Sequence, residues 1–387
     1  MAANRLRLSL RRGLLAGVGC LAGALERGER GRARRKLLVI RPDHLGDVLM
    51  TTAALAALRT SEPTAEVTAL VGPWSADLLR RNRDLDRVLV YPFPWFDRRP
   101  AGLIDRYASA VRLAASLRRD RFDRVYVLRP DHWWGAMVGA LAGIPERVGY
   151  ATAENRSLLT RAYAPPGREH AVRSALRLVA GENAARYAVP GCPPMRFCPG
   201  PAHRRWAEAV LTDAAVAAGS PLAVAHPGAS TPLKRWPADR WAVVLDHLAA
   251  DGVAVVLVGG EGDQPALEAI AAQMRARPHV VGEVPGLGEL GALLARASFA
   301  LGMDSLPMHL ATAVGTPTLR LVGPADEAVF GPWGDPRQHR VARAPGTAPD
   351  PDWFGSPASS GPHPTLLALS VGAVVTELAR LREALES

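Results

Sequence analysis

The feature that most limits how this chain can fold is an alternation of short apolar strands with helix-length segments. It runs, halts at a Pro/Gly-rich stretch, and then starts again. Lys36–Arg41 (KLLVIR) reads as a strand, residues 42–46 as a loop, and the spacing of Val48, Thr52, Leu55 and Leu58 as a helix. Strands are expected again at residues 66–71, 88–91 and 124–128, with a helix over 103–117. Residues 187–202 (YAVPGCPPMRFCPGPA) lack periodicity and read as a linker. Beyond it, strands at 222–226, 253–258, 298–301 and 318–322 alternate with helices at 240–249, 290–296 and 307–314, plus one capped by Asp263 and running to Met274. Gly315 and Pro317 supply the stop signal after the helix at 307–314. Residues 345–364 are Pro/Gly/Ser-rich and read as an exposed loop, followed by a last helix over about 366–385. Such alternation implies parallel sheets covered on both faces, hence an α/β protein of two doubly wound domains. The chain's 387 residues, 48% of them hydrophobic, suffice for two cores.

The formal charge of +10 is unevenly placed. Residues 1–36 hold ten basic and two acidic residues, which accounts for +8 of it, so a nucleic-acid groove on the folded body has little support. Within the tail, Leu14, Val18, Leu21 and Leu25 recur at helical spacing behind Arg7, Arg11 and Arg12. That pattern suits an amphipathic helix on an anionic leaflet. Residues 13–25 are too few for a membrane span. A signal peptide and a disordered extension fit the same stretch, and all three readings stay open. Cys20, Cys192 and Cys198 cannot all pair and sit in no metal-ligand spacing, so free thiols in a reducing compartment are expected.

Residues with chemical capacity gather where strands end. The loop Arg41-Pro-Asp-His-Leu-Gly-Asp47 carries one glycine, Gly46, where a dinucleotide fingerprint needs three, which argues against a nicotinamide or flavin dehydrogenase. Asp47 at the following helix start reads as an N-cap, as a catalytic carboxylate, or as both. The run His226–Pro237 (HPGASTPLKRWP) offers Ser230, Thr231, Lys234 and Arg235, a mixture suited to a diphosphate or simply to a solvated loop. Gly302–Leu310 (GMDSLPMHL) is a strand-to-helix junction whose free N–H groups and Ser305 can hold an anion. There Asp304 is placed to accept from sugar hydroxyls and His309 lies one turn on, although a capping Asp-Ser with a core histidine reads equally well. Glu261 follows another strand and can grip a ribose or merely be solvated.

Four segments, LLVIRPDHLGDVLMTTAALAALR, HPGASTPLKRWPADRW, VVLVGGEGD and GMDSLPMHLATAVGTPTLRLVGPAD, resemble glycosyltransferase family 9, the ADP-heptose:lipopolysaccharide heptosyltransferases, in order and spacing over about residues 36–334. The resemblance implies a GT-B fold, two Rossmann-like domains facing across a cleft, with acceptor on the first and nucleotide-sugar on the second. It implies an inverting, metal-independent transfer in which Asp47 is the base. It also implies Lys234 and Ser230 at the donor phosphates, Glu261 near the ribose, Leu287 beside the nucleobase and Asp304 near the heptose. Ser305, Leu306 and His309 then fall in the phosphate loop. The acceptor region would be residues 127–161, with Arg129, Asp131 and Arg156 as contacts and His132 and Arg147 nearby. Leu306 stands where the family usually has glycine, the Asp131-His-Trp-Trp134 run is not a usual signature, and the basic extension is unusual.

The expected domains are a 1–35 extension, acceptor domain 36–190, nucleotide-sugar domain 203–345, flexible loop 346–365 and terminal helix 366–387. No cofactor beyond an ADP-linked sugar donor is expected. The expected partners are that donor, a glycolipid or polysaccharide acceptor, and the inner leaflet of the cytoplasmic membrane, which makes a cytoplasmic, peripheral protein that binds no nucleic acid. Rival readings are a GT-B transferase with another donor and acceptor, a nucleotide-sugar epimerase, and a non-catalytic glycan-binding module.

Overall fold

A strand that is apolar along its whole length suits only a sheet covered on both faces, and Lys36–Arg41 (β1) lies in the middle of one. The computed structural model describes residues 11–13, 15–19, 34–93, 102–187, 192–353 and 361–386. The chain divides into two compact units, Met1–Ala188 and Val189–Ser387.

In the first unit β1 leads into helix α1 (Leu45–Ser61), then β2 (Glu66–Val71) and β3 (Arg87–Val90). Helix α2 (Leu103–Asp120), β4 (Arg124–Val127), α3 (Trp133–Leu141), β5 (Glu146–Tyr150), β6 (Arg161–Tyr163) and α4 (Ala171–Ala180) follow. All pairings in the sheet are parallel, in the order β3-β2-β1-β4-β5-β6. Helix α1 is buried without a break from Val48 to Leu58, and α4 packs against it. Leu38, Ile40, Val125, Val127, Trp134 and Met137 form the core of the opposite face.

Residues 11–13 and 15–19 are helical, and Leu15 is 0% exposed within that same core, with Val18 packed against it. Arg11 lies over the Trp133 ring, 5.1 Å from its centroid. Leu15 and Val18 of this helix thus rest on the first unit, while Arg12 stays exposed. Leu14, Leu21, Leu25, Arg7 and Cys20 lie outside the described residues. Among the described residues no helix is long and apolar enough to cross a membrane.

The second unit repeats the plan with α5 (Pro201–Asp213), β7 (Leu222–His226), α6 (Ala238–Ala250), β8 (Ala254–Val258), α7 (Gln264–Ala271) and β9 (His279–Val281). Helix α8 (Leu287–Leu294), β10 (Phe299–Met303), α9 (Leu306–Ala313), β11 (Thr318–Leu321), β12 (His339–Ala342) and α10 (Val371–Glu386) complete it. The order is β12-β11-β10-β7-β8-β9, again all parallel. Val374, Leu378 and Leu381 of α10 enter the core beside β11 and β12, so the terminal helix closes that face.

Several expectations shift. Helix α7 ends at Ala271, and Asp263 caps nothing with its side chain, accepting instead from the Gly260 N–H at 3.0 Å. The single turn Pro364–Leu367 is separate from α10. The stretch 345–364 is anchored where it is described: Trp353 is buried, and the His363 N–H donates to the Leu233 carbonyl at 3.0 Å. Cys192 and Cys198 are exposed free thiols. Gly315 takes a φ of +87°, the left-handed conformation that glycine adopts without a Cβ clash.

Candidate active site

In an open parallel sheet, ligands settle outside the carboxyl ends of the strands where the strand order reverses. In the first unit the reversal falls between β1 and β4, since β2 and β3 lie to one side and β5 and β6 to the other. In the second it falls between β10 and β7. The loops singled out by sequence, 42–47, 128–132, 227–237 and 304–306, are the ones that leave these four strands.

At the β1/β4 reversal, His44 is the N-cap residue of α1, so Asp47 is not the cap. It occupies the third helical position, where its carboxylate adds favourably to the helix dipole. Asp47 is half-buried, and desolvation by the surrounding protein raises its carboxyl above the ordinary range, with Asp43 adding to the rise and Arg41, Arg129 and His44 opposing it. The Arg41 Nη2 lies 3.6 Å from the Asp47 Oδ1, and its Nε lies 2.8 Å from the Asp43 Oδ2. The Arg41 Nη1 donates to the Leu128 carbonyl at 2.9 Å, tying the two loops together. Asp43, 2% exposed, also accepts from the Arg129 Nη1, while Arg129 holds Asp131 through Nε at 2.6 Å and Nη2 at 3.2 Å. Five alternating charges thus run in a chain: Asp47, Arg41, Asp43, Arg129 and Asp131.

His132 closes this corner. Burial pushes its imidazole down to about 4, against the pull of Asp43 and Asp131, so it is neutral at ordinary pH. Its ring packs against Phe93 and Trp134, with centroids 5.7 and 6.0 Å away. Burial also acts against the charged form of Asp131, but its hydrogen bonds and Coulomb pairing with Arg129 outweigh this and its carboxyl titrates below the usual range.

At the β10/β7 reversal, strand register sets Gly302 beside His226. A Cβ at Gly302 would come 2.7 Å from the His226 carbonyl oxygen, so only glycine lets the two strands approach this closely. The Lys234 Nζ donates to the Asp304 carbonyl at 3.1 Å, stands 3.7 Å from its Oδ2, and lies 4.8 Å from the centre of the Trp353 ring. Asp304 is buried, and its Oδ1 is 3.7 Å from the Arg320 Nη1. Arg320 is wholly buried and donates to the Met308 carbonyl at 3.1 Å and the Thr312 Oγ1 at 3.0 Å, with His309 Nδ1 3.1 Å from its Nη1. Burial lowers this guanidinium to about 10, with Asp304 opposing, so it stays charged at neutral pH. His309 is thereby a core residue held by Arg320, pointing away from solvent. Ser305 is the N-cap residue of α9, but its Oγ donates back to the Met303 carbonyl at 3.1 Å, leaving the first N–H groups of the helix without that side chain as a cap.

The other expected residues lie around these centres. Ser230 is exposed in the loop after β7, Glu261 is exposed just past β8, Leu306 is half-buried as the first residue of α9, and Leu287 is half-buried as the first residue of α8. Arg156 is exposed in the single turn Arg156–Leu158 after β5. Arg147 is buried and donates to the Leu158 and Ile144 carbonyls, both at 2.6 Å, which makes it a brace for the β5–β6 region. Sequence reasoning passed over Asp43, Arg41, Arg320 and Trp353. A signal existed for one of them: Arg320 is a cation inside an otherwise apolar strand, a placement that demands a buried partner. Among the described residues no three His, Cys, Asp or Glu side chains gather as a metal would require.

The sequence profile of glycosyltransferase family 9 (heptosyltransferase) matches residues 110–350, over half of the chain. Lipopolysaccharide heptosyltransferase 2 of Salmonella typhimurium is 26% identical over 298 residues, covering 75% of this chain and 83% of that protein. Lipopolysaccharide heptosyltransferase 3 of Escherichia coli is 25% identical over 301 residues, covering 75% and 84%. The glycosyltransferase family 9 structure from Veillonella parvula superposes with a TM-score of 0.74 at 22% identity, over 91% of this chain and 98% of that one. The Escherichia coli ADP-heptose lps heptosyltransferase II superposes at 0.69 with 23% identity, over 91% and 100%. E. coli heptosyltransferase WaaC with ADP superposes at 0.65 with 20% identity, over 89% and 99%. The fold is the one these structures share, the GT-B pair of Rossmann-like domains.

Proposed function

The chain belongs to glycosyltransferase family 9 (heptosyltransferase) and is a glycosyltransferase; on that premise we propose that it moves a heptose or closely related sugar from an ADP-linked donor to a lipopolysaccharide core or similar glycolipid, with inversion at the anomeric carbon. The observation that carries this reading is Asp47, a half-buried carboxylate of raised proton affinity at the reversal point of the first sheet. Such a group is matched to proton abstraction, and a positioned base contributes ~10²–10⁴-fold in rate. The names of the relatives supply the substrate class: they are lipopolysaccharide heptosyltransferases, and two WaaC structures hold ADP and an ADP-linked fluoroheptose.

In the proposed step the acceptor hydroxyl oxygen forms a bond to the anomeric carbon while the bond from that carbon to the diphosphate oxygen breaks. The hydroxyl proton passes to Asp47, and ADP leaves with the electron pair. Negative charge growing on the diphosphate is met by Lys234 and by the N–H groups at the start of α9, with Ser230 and Ser305 as further donors and no metal required. Asp304 orients the sugar hydroxyls, while Glu261 and Leu287 flank the nucleoside. Leu306, at the first position of α9, stands in the phosphate loop. In this reading Arg156, exposed after β5, meets an anionic acceptor. Arg129 contributes through the carboxylates it holds, Asp43 and Asp131. In this reading the domain bounds are 36–190 for the acceptor and 203–345 for the donor, and the protein works at the cytoplasmic face of the membrane, drawn there by the cations of residues 1–36.

The Asp47→Asn variant tests the proposal. It is expected to lose turnover, read as ADP released from ADP-heptose in the presence of acceptor, while its affinity for ADP measured by calorimetry stays within about twofold. Turnover that persists in Asp47→Asn removes the base assignment, and ADP that fails to bind the wild-type protein removes the donor assignment.

A further inference from the structure

Asp47 does not stand alone with Arg41. An arginine 3.6 Å from a base is a hazard, because a full ion pair would hold the carboxylate in its charged form and weaken it as a proton acceptor. The geometry shows where the Arg41 charge goes instead. Its Nε is 2.8 Å from Asp43, nearer than its Nη2 is to Asp47, and its Nη1 is committed to the Leu128 carbonyl. Asp43 in turn is gripped by Arg129, which is itself neutralised by Asp131. The Asp43 main chain is fixed as well, its carbonyl accepting from the Trp74 Nε1 at 2.8 Å and the Ser75 Oγ at 3.2 Å. A carboxylate that is 2% exposed and cannot reach solvent has no part in a solvated surface network. Its burial is sustained by the two guanidinium groups it joins.

We propose that Asp43 is a positioning residue of the transfer reaction, one that binds Arg41 and Arg129 together so that the Arg41 guanidinium is held off the Asp47 carboxylate. The inference rests on Asp47 acting as the base. The charged groups that face Asp47 are Arg41 from β1, Asp43 and His44 from the loop, and Arg129 from the loop after β4. Asp43 and Arg129 act on it in opposite directions: the first raises its proton affinity and the second lowers it. This opposition gives the inference a signature that loss of packing cannot imitate.

The test is the pH dependence of kcat/KM for the full-length enzyme with ADP-heptose and a lipopolysaccharide-core acceptor, in wild type, Asp43→Asn and Arg129→Gln. Asparagine keeps an oxygen to accept from Arg129, so Asp43→Asn changes charge with little change in shape. Its acid limb is expected to move down by about one pH unit, and that of Arg129→Gln to move up, each following the sign of the charge removed. Limbs that stay in place, or that move in the same direction in both variants, overturn the role of Asp43. Should Asp43→Asn fail to fold, Asp43→Glu takes its place: it keeps the charge but shifts the carboxylate relative to Arg41, its acid limb is expected to move down, and a limb that stays in place overturns the role of Asp43. Asp47→Asn is measured alongside: turnover in that variant overturns the base assignment and this inference with it, whereas an inactive Asp47→Asn with unmoved limbs overturns the Asp43 role alone.

Discussion

Acidification is expected to loosen the first unit through His132, by an amount that follows from its surroundings. The unfolded chain leaves this imidazole at its ordinary value of 6.5, and burial against Phe93 and Trp134 pushes it to about 4 in the folded state. Between those values the unfolded state binds a proton that the folded state refuses, so stability is full above pH 6.5 and falls as the pH drops towards 4. At pH 4.5 the unfolded imidazole is almost fully protonated and the folded one only about a quarter protonated. Linkage then gives a loss of about 2–3 kcal/mol relative to pH 7. Other groups titrate in the same window, so the measurement is a difference of differences: urea unfolding of wild type and His132→Gln, each at pH 7 and at pH 4.5. The variant is expected to be the less stable protein at pH 7, because it loses the ring packing, and to recover about 2–3 kcal/mol of that deficit at pH 4.5. A deficit of equal size at both pH values would refute the argument, and would mean that the ring carries its proton inside the fold or meets water there.

Two further expectations concern the second unit. Lys234→Met should lower kcat by ~10²–10³-fold and weaken ADP binding, since it removes the cation that stands between Asp304 and Trp353; calorimetry with ADP that shows unchanged affinity would exclude Lys234 from the donor site. Arg320→Met should cost about 3–5 kcal/mol in urea unfolding, because Asp304 is left buried beside one cation fewer and the Met308 carbonyl and Thr312 hydroxyl lose their donor. Arg320→Lys should not restore that loss, for an ammonium cannot reach Asp304, His309 and the helix carbonyl in the planar fork that guanidinium provides.

Most of the strands legible from sequence were central ones, although β3, read at residues 88–91, lies at a sheet edge. Lys36–Arg41, Glu66–Val71, Leu222–His226 and Ala254–Val258 are continuous apolar runs because both faces of the sheet are covered there. β5, β6, β9 and β12 escaped notice because they are short and mixed in polarity: Arg161–Tyr163 and His279–Val281 at sheet edges lack the run that marks a buried strand. Helix α3 was hidden for the opposite reason, since its sequence WWGAMVGAL is apolar all round and shows no periodic face. In the N-terminal segment residues 11–13 and 15–19 are helical, and Leu15, one residue off the named stripe, enters the core with Val18 of that stripe packed against it.

For the site, the type of residue and its place after a strand were written in the chain: Asp47, Lys234 and Asp304 each follow an apolar run by a few positions, and local sequence determines that much. What local sequence cannot carry is strand order. Only the sheet topology sets the loop after β1 beside the loop after β4, and the loop after β7 beside the one after β10, through parallel pairings that join residues 87 and 76 positions apart. Those pairings decide that Asp43 meets Arg129 and that Arg320 lies beneath Asp304, and burial in the packed interior then raises the proton affinity of Asp47. Each of these is a property of distance and dielectric, which exist once the chain has closed on itself and not before.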